Sequence, residues 1–322
     1  LKPEKSHELE FGLDAGFFND RYGLEFTYFD QVTKDALLLR LYPPSQGFLN
    51  LQLDNVGEVK NKGFEMLFRA IPLRTQNFET IFNISVAKVE NKVTSLGGTA
   101  NLPFGLSSIG EVREGYPISS FWGQKVTGVN VSDTGFGTAI ITPEKVFLGQ
   151  TLPKWTGSFS INFTLFRHFR LYALSDWATG MVMFNSGKRN MCSSGFNTNA
   201  EVRAMREKLN DRNLPVAERH EIQRQFWYKT NTYAANFVEK ADWLKLREVA
   251  LTYTVPKEFQ RKYLAGTAVS LTFAARNLFT FSDYGGADPE TNYNGRSSLN
   301  RGQDQFTVPM PRRFMFTLNV DM

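Results

Sequence analysis

Apolar and polar residues alternate with a period of two along most of this chain, and that rhythm defines its elements. Phe159, Ile161, Phe163 and Leu165 fall on one side of an extended segment, with Ser158, Ser160, Asn162 and Thr164 on the other. The same rhythm sets Leu9, Phe11, Leu13, Ala15 and Phe17 against Glu8, Glu10, Gly12, Asp14 and Gly16. It recurs at Phe78, Phe82, Ile84 and Val86, at Val269, Leu271 and Phe273, and at Phe314, Phe316, Leu318, Val320 and Met322. Successive side chains of a strand point to opposite faces, so each segment has one greasy and one polar face. The pattern predicts nine long strands, over 7–18, 22–40, 59–73, 78–94, 155–167, 169–186, 241–256, 267–281 and 311–322. They exceed the usual globular strand of about five or six residues and reach the ~9–11 that cross a bilayer at a tilt.

The connections alternate between short and long. Asn19-Asp20-Arg21, Arg74-Thr75-Gln76-Asn77, Arg167-His168-Phe169 and a moderate turn after Pro256 take turns with long loops near 41–58, 95–154, 187–240 and 282–310. Outer-membrane barrels keep short turns on the periplasmic side and long loops outside, whereas a β-sandwich has no reason to segregate them. The predicted fold class is therefore all-β, an antiparallel transmembrane β-barrel whose long extracellular loops carry short helices. Asn199–Tyr228 is rich in helix formers, with Asn199 as cap and Pro215 between the halves, and predicts one or two such helices. With the long loops outside, the first strand runs inward and the ninth ends in the periplasm. A bacterial barrel has an even strand count with both ends periplasmic, so at least one further N-terminal strand is expected.

Composition narrows this picture. Phe alone contributes 29 residues and aromatics 14% of the chain, yet mean hydropathy is negative and no apolar run approaches the ~18 residues of a membrane helix. Cys192 is the single cysteine, which excludes an internal disulfide and a multi-cysteine metal site. The net charge of +5 is spread along the chain, arguing against a nucleic-acid partner. The chain opens at Leu1 without a signal segment, and the topology favours a fragment over a processed whole.

The closing stretch Arg313-Phe314-Met315-Phe316-Thr317-Leu318-Asn319-Val320-Asp321-Met322 resembles the C-terminal signal of barrel assembly, with Met322 where Phe is usual. Ordered blocks then carry a family resemblance: Leu1-Lys2-Pro3-Glu4, Asn55-Val56-Gly57 with Lys62-Gly63-Phe64-Glu65, and Gly115-Tyr116-Pro117-Ile118 with Phe121-Trp122-Gly123. Leu152-Pro153-Lys154-Trp155, Asp242-Trp243-Leu244-Lys245-Leu246-Arg247-Glu248-Val249, and Ala275-Arg276-Asn277-Leu278-Phe279 with Asp288-Pro289-Glu290 complete the set. Together they resemble the SusC/RagA group of TonB-dependent outer-membrane transporters. The resemblance implies that residues 1–322 are the C-terminal part of a barrel of about 22 strands, with the N-terminal plug and remaining strands outside this chain. It further implies nutrient import, of glycan oligosaccharides or peptides, into the periplasm. The implied partners are a SusD-like lipoprotein lid, outer-membrane lipid, and the TonB-ExbB-ExbD complex through the missing N-terminal region; no cofactor is implied.

The candidate substrate-binding residues are the loop aromatics Trp122, Phe136, Trp227, Tyr228, Tyr284 and Tyr293, which either stack on sugar rings and the lid or simply hold the loops together. Gly in Asn55-Val56-Gly57 and Lys62-Gly63-Phe64 suits a bulge or a tight bend. Asp288-Pro289-Glu290-Thr291-Asn292 lacks calcium-loop spacing and reads as a capped turn. No catalytic set is legible: His220-Glu221 lacks the second histidine of a zinc-protease helix, and Gly135-Phe136-Gly137 lacks the third glycine of a dinucleotide loop. The predicted topology puts His168 on the opposite side of the membrane from His7 and His220, which argues against a shared metal site. The rival reading is a secreted soluble all-β carbohydrate-binding module, which would bury Phe159, Phe163, Leu271 and Phe273 between two sheets.

Overall fold

Nine strands pair in chain order into one antiparallel sheet: β1 (Lys5–Phe17), β2 (Tyr22–Arg40), β3 (Gln52–Arg74), β4 (Phe78–Ser95), β5 (Trp155–Leu165), β6 (Phe169–Thr179), β7 (Trp243–Thr254), β8 (Ala268–Ser282) and β9 (Arg313–Asp321). The computed structural model describes residues 1–322 apart from 41, 48–51, 133–134, 194–198, 298 and 322, so the terminal Met322 lies outside the described residues. Among the described residues each wall strand neighbours only its predecessor and successor, the up-and-down order of a barrel wall.

Register gathers the large apolar side chains onto one face. Phe11 stands opposite Tyr28 and Leu13 opposite Phe26. Tyr28 then meets Phe64, and Phe26 meets Met66. Ile84 meets Phe159, Phe163 meets Leu171, Leu251 meets Phe273 and Phe273 meets Phe316. Directly opposed residues share a face, so these side chains form one greasy surface across the wall. That surface is open: Phe159 is 39% and Phe273 50% exposed, while Phe163 and Leu271 are only half-buried. Among the described residues no second sheet covers them, and the two-sheet packing of a soluble module is absent. A greasy face this wide marks a surface that meets a membrane or a partner.

The buried clusters lie at the loop end of the wall. Ile109 and Phe121 from the β4–β5 loop pack with Phe184, Cys192, Val202 and Phe237 from the β6–β7 loop. Leu38, Val59 and Val93 at the strand tops pack with Leu96 and Val112. The loops are therefore structured: 96–154 holds short strands from Leu102–Phe104 to Val146–Gln150, and 180–242 holds three helices, α1 (Ser186–Ser193), α2 (Ala200–Leu209) and α3 (Val216–Thr230). Asn199 caps α2 by accepting from the amides of Glu201 and Val202, and α3 starts after Pro215, as the sequence predicts. Asn199→Ala is expected to lose about 1 kcal/mol of local helix stability, read as faster amide exchange at Glu201 and Val202 with the wall unchanged.

Four expectations need correction. The strand predicted over 169–186 stops at Thr179: Gly180 turns with φ +80°, and the Asp242 carboxylate accepts from the amides of Gly180 and Met181. Residues Val182–Asn185 then join a small separate sheet, and Ser186 opens α1. β3 begins at Gln52 instead of 59, because register shifts at Ala36 and at Glu58/Val59 interrupt the alternation without ending the pairing. Gly57 lies at that irregularity, as a bulge glycine should, but Gly63 sits in regular register. A Cβ on Gly63 would press into the Lys88 carbonyl and the Phe29 ring edge, so the need there is close approach of a neighbouring strand. The turn after Pro256 also contains an unpredicted short helix, α4 (Lys257–Tyr263).

Candidate functional site

The face opposite the greasy one is a ladder of polar side chains. Asn83 donates to Ser160 at 3.1 Å, Ser85 and Ser158 hydroxyls meet at 2.7 Å, and Thr252 and Thr272 at 2.9 Å. Arg276 pairs with Glu248 at 2.7 Å on the same side. Such a wall suits a water-filled lumen.

Over its loop end three long loops lock together. The fully buried Gln303 accepts from the amide of Leu106 at 2.6 Å, which joins the β8–β9 loop to the β4–β5 loop. Gln303 and Asp304 also run parallel to Phe184 and Asn185 of the β6–β7 loop. Ser119 donates to the Leu299 carbonyl at 2.6 Å.

The strongest tie runs from wall to loop. Lys245 on β7 has a side chain only 3% exposed, and its Nζ lies 2.6 Å from both Asp288 Oδ1 and Glu290 Oε2. Arg247 Nε sits 2.8 Å from both oxygens of Asp176 on β6, and the guanidinium also reaches Glu290. Asp288 additionally accepts from the amides of Glu290 and Met310, so Asp288-Pro289-Glu290 is a capped turn whose carboxylates anchor the loop to the wall. Burial raises the Asp288 carboxyl, but Lys245 and the two amides outweigh it and hold it below the usual carboxylate range. Burial likewise raises Glu290, and Arg247 and Lys245 reverse that to a net lowering. Beside this anchor a cavity of about 310 Å³ is lined by Asp176, Trp243, Glu290, Asn292 and Arg301 among others. Its carboxylates, guanidinium, amide and indole can meet a ligand bearing hydroxyls or both signs of charge.

The six predicted aromatics divide by environment. Trp122 is 4% exposed, with the Arg113 guanidinium 3.8 Å above its ring and Tyr116 edge-on at 4.6 Å. Tyr284 is buried, and its hydroxyl donates to Asp304 at 2.9 Å. Burial, then the Asp304 carboxylate, raises the Tyr284 phenol and keeps it a proton donor. Both rings are committed to packing, Trp122 within its own loop and Tyr284 against Ala178, Met181, Met183 and Ala241 of β6 and the β6–β7 loop. Phe136 and Trp227 instead stack at 6.5 Å across two loops, with Phe136 largely exposed. Trp227 donates to the Gly135 carbonyl at 3.0 Å, and a Cβ on Gly137 would strike its ring, so Gly135-Phe136-Gly137 seats an indole. Tyr228 and Tyr293 are exposed, on different loops. Among the described residues no group of three His, Cys, Asp or Glu side chains is arranged to hold a metal ion.

Lys245, Arg247 and Gln303 were not among the sequence candidates. The available signal was a lysine and an arginine two apart on wall strand β7, with two acids flanking a proline in the β8–β9 loop.

Comparison with known proteins accords with this geometry. Residues 1–278 match the family model described as TonB dependent receptor-like, beta-barrel. TonB-dependent receptor P3 of Formosa agariphila is 28% identical over 99% of this chain and 34% of its own length. TonB-dependent receptor SusC of Bacteroides thetaiotaomicron is 22% identical over 100% of this chain and 32% of its own. The chain thus spans about a third of the length of these relatives. Among solved structures, the RagAB peptide transporter superposes with a TM-score of 0.80 at 21% identity, covering 98% of this chain and 35% of that one. The nine-strand wall, its polar inner face and the match over residues 1–278 together make this chain a member of the TonB-dependent receptor β-barrel family.

Proposed function

We propose that residues 1–322 form the C-terminal part of the barrel of an outer-membrane active transporter, which imports nutrients into the periplasm with energy relayed through TonB. The observation that carries this reading is the family match over residues 1–278, on a wall greasy outside and polar within. The threefold greater length of the relatives supports further strands and an N-terminal plug beyond this chain. So do β1 and β9, which among the described residues are each paired with a wall strand on one edge only. Contact with the TonB-ExbB-ExbD complex belongs to that N-terminal region.

The interlocked loops form the mouth of this transporter and the seat of a SusD-like lipoprotein lid. The exposed rings Phe136, Tyr228 and Tyr293 meet substrate or lid in this reading, with Trp227 stacked on Phe136, while Trp122 and Tyr284 keep the loops in shape. The peptide transport in the name of RagAB supports peptides as cargo; the SusC/RagA resemblance supports glycan oligosaccharides equally. Uptake of labelled oligosaccharides and peptides by a deletion strain carrying the complete gene tests both. Loss of neither uptake on deletion would sink the transport reading. Combined Phe136→Ala, Tyr228→Ala and Tyr293→Ala is expected to reduce uptake of the true cargo at least about fivefold at normal barrel abundance. Unchanged uptake and lid retention would remove these rings from the binding surface.

A further inference from the structure

The outward face of the wall does not stay apolar to its top. Along β4 the outward positions read Phe82, Ile84 and Val86, then Lys88, Glu90 and Lys92; along β3, Phe68, Met66 and Phe64 give way to Lys62 and Lys60. β2 follows with Phe26, Tyr28 and then Asp30. The change from greasy to charged falls toward the long-loop end and crosses three adjacent strands. Trp155 marks the boundary, edge-on to Phe64 at 5.8 Å and with Lys88 Nζ 5.4 Å from its ring centre. An aromatic at such a boundary is where a barrel wall passes from hydrocarbon to headgroups.

Charge in this patch does not balance. Lys88 lies 2.8 Å, Lys62 3.3 Å and Lys154 3.7 Å from the single carboxylate of Glu90. Lys60 takes Asp30 at 2.8 Å. Lys92 is exposed and has no carboxylate partner among the described residues. Between these side chains the surface dips into a cavity of about 430 Å³, lined by Tyr28, Asp30, Lys60, Lys62, Glu90 and Lys92 among others. Ammonium groups crowding one carboxylate repel one another unless a further anion joins them, and a phosphate offers several acceptor oxygens at once.

We propose that this lysine patch is a binding site for the phosphate of an anionic glycolipid in the outer leaflet, with its acyl chains lying along Phe64, Met66 and Val86. The assignment rests on the barrel reading above, because only there is the patch continuous with a lipid-covered wall. A lipid source is favoured over free phosphate by that continuity: the greasy column directly below the lysines offers acyl chains a surface that soluble phosphate cannot use.

Native mass spectrometry of the complete protein in nonionic detergent tests the proposal. The probes are a phosphorylated diglucosamine glycolipid, its dephosphorylated form and inorganic phosphate. Wild-type protein is expected to retain the phosphorylated glycolipid, and Lys62→Gln/Lys88→Gln/Lys92→Gln to bind it at least about tenfold more weakly. The corresponding Lys→Arg variant is expected to bind as wild type does. Equal binding by the Gln variant, or equal binding of the dephosphorylated glycolipid, overturns the site. Displacement of the glycolipid by equimolar inorganic phosphate assigns the patch to free phosphate and overturns the lipid source. Conversion of a dimer to a monomer by the Gln substitutions, with glycolipid retention unchanged, assigns the face to a second copy and also overturns it. A heat-dependent mobility shift on a detergent gel reports the barrel independently, so its loss marks failure of the barrel reading and not of the site alone.

Discussion

Lys245→Ala is expected to cost about 3–5 kcal/mol and to free residues 283–312 from the wall. The substitution strands Asp288, whose side chain is 5% exposed, without the ammonium that offsets its burial. Removing one member of a buried ion pair is far more costly than never having had the pair, because the remaining charge stays desolvated. Glu290 retains Arg247, so the damage centres on Asp288. Two controls separate this from a general charge effect. Lys245→Met combined with Asp288→Asn removes both members and is expected to recover most of the loss. Lys34→Ala breaks an exposed 4.0 Å pair with Glu58 and is expected to cost less than about 1 kcal/mol. Hydrogen exchange and limited proteolysis across 283–312 are the measurements; a Lys245→Ala loop as protected as wild type would falsify the anchor.

Acid should act on the same joint. Both carboxyls are held below their ordinary range when the loop is docked, so docking favours the ionised forms. Their contribution is complete above the undocked carboxylate range, near about pH 4, and is lost as pH falls through the lowered values. Loop protection is therefore expected to stay level from neutrality to about pH 5 and to fall below about pH 4. In Lys245→Met/Asp288→Asn this acid transition should shrink, since one carboxyl and the shared ammonium are gone.

What the sequence made legible follows from how locally each feature is determined. A lipid-facing strand must be apolar at every second position, so alternation located all nine wall strands, and Asn199 and Pro215 marked their helices by local capping chemistry. The end of β6 was different. Val182, Met183 and Phe184 prolong the apolar run, and what stops the strand is the Asp242 carboxylate, more than sixty positions away, holding the Gly180 amide. The anchor was hidden for the same reason. Lys245 and Arg247 look like ordinary wall residues, Asp288-Pro289-Glu290 looks like a self-contained turn, and only folding brings them together. Gly135-Phe136-Gly137 lacks the third glycine of a dinucleotide loop; Gly137 instead makes room for the ring of Trp227 from another loop, and a Cβ on Gly135 would meet Gln223 of the same helix. Trp122 and Tyr284 show the limit of choosing binding residues by type, because exposure separates a stacking platform from a packing ring.

Arginine placed along β5 provides the sharpest test of the wall. Phe159 points outward and stacks on Phe82 at 6.1 Å, Leu165 points outward at the short-turn end, and Ser160 points inward and accepts from Asn83. In a lipid-covered barrel Phe159→Arg is expected to destabilise by about 2–4 kcal/mol, and Leu165→Arg by no more than about 1 kcal/mol, because the cost of the charge falls from the bilayer midplane to its surface. Ser160→Arg loses one hydrogen bond to a wet lumen, about 0.5–1.5 kcal/mol. Denaturant unfolding of the complete protein from bilayers measures all three. A dry core between two sheets would penalise the charge heavily wherever the outward side chain is enclosed, and detergent or lipid would not enter the result. The decline from Phe159 to Leu165 along one strand, together with the tolerance at Ser160 next door, is a pattern that only a membrane on one side and water on the other produces. A flat response at the two outward positions would reject the barrel wall, and with it the transport reading built on that wall.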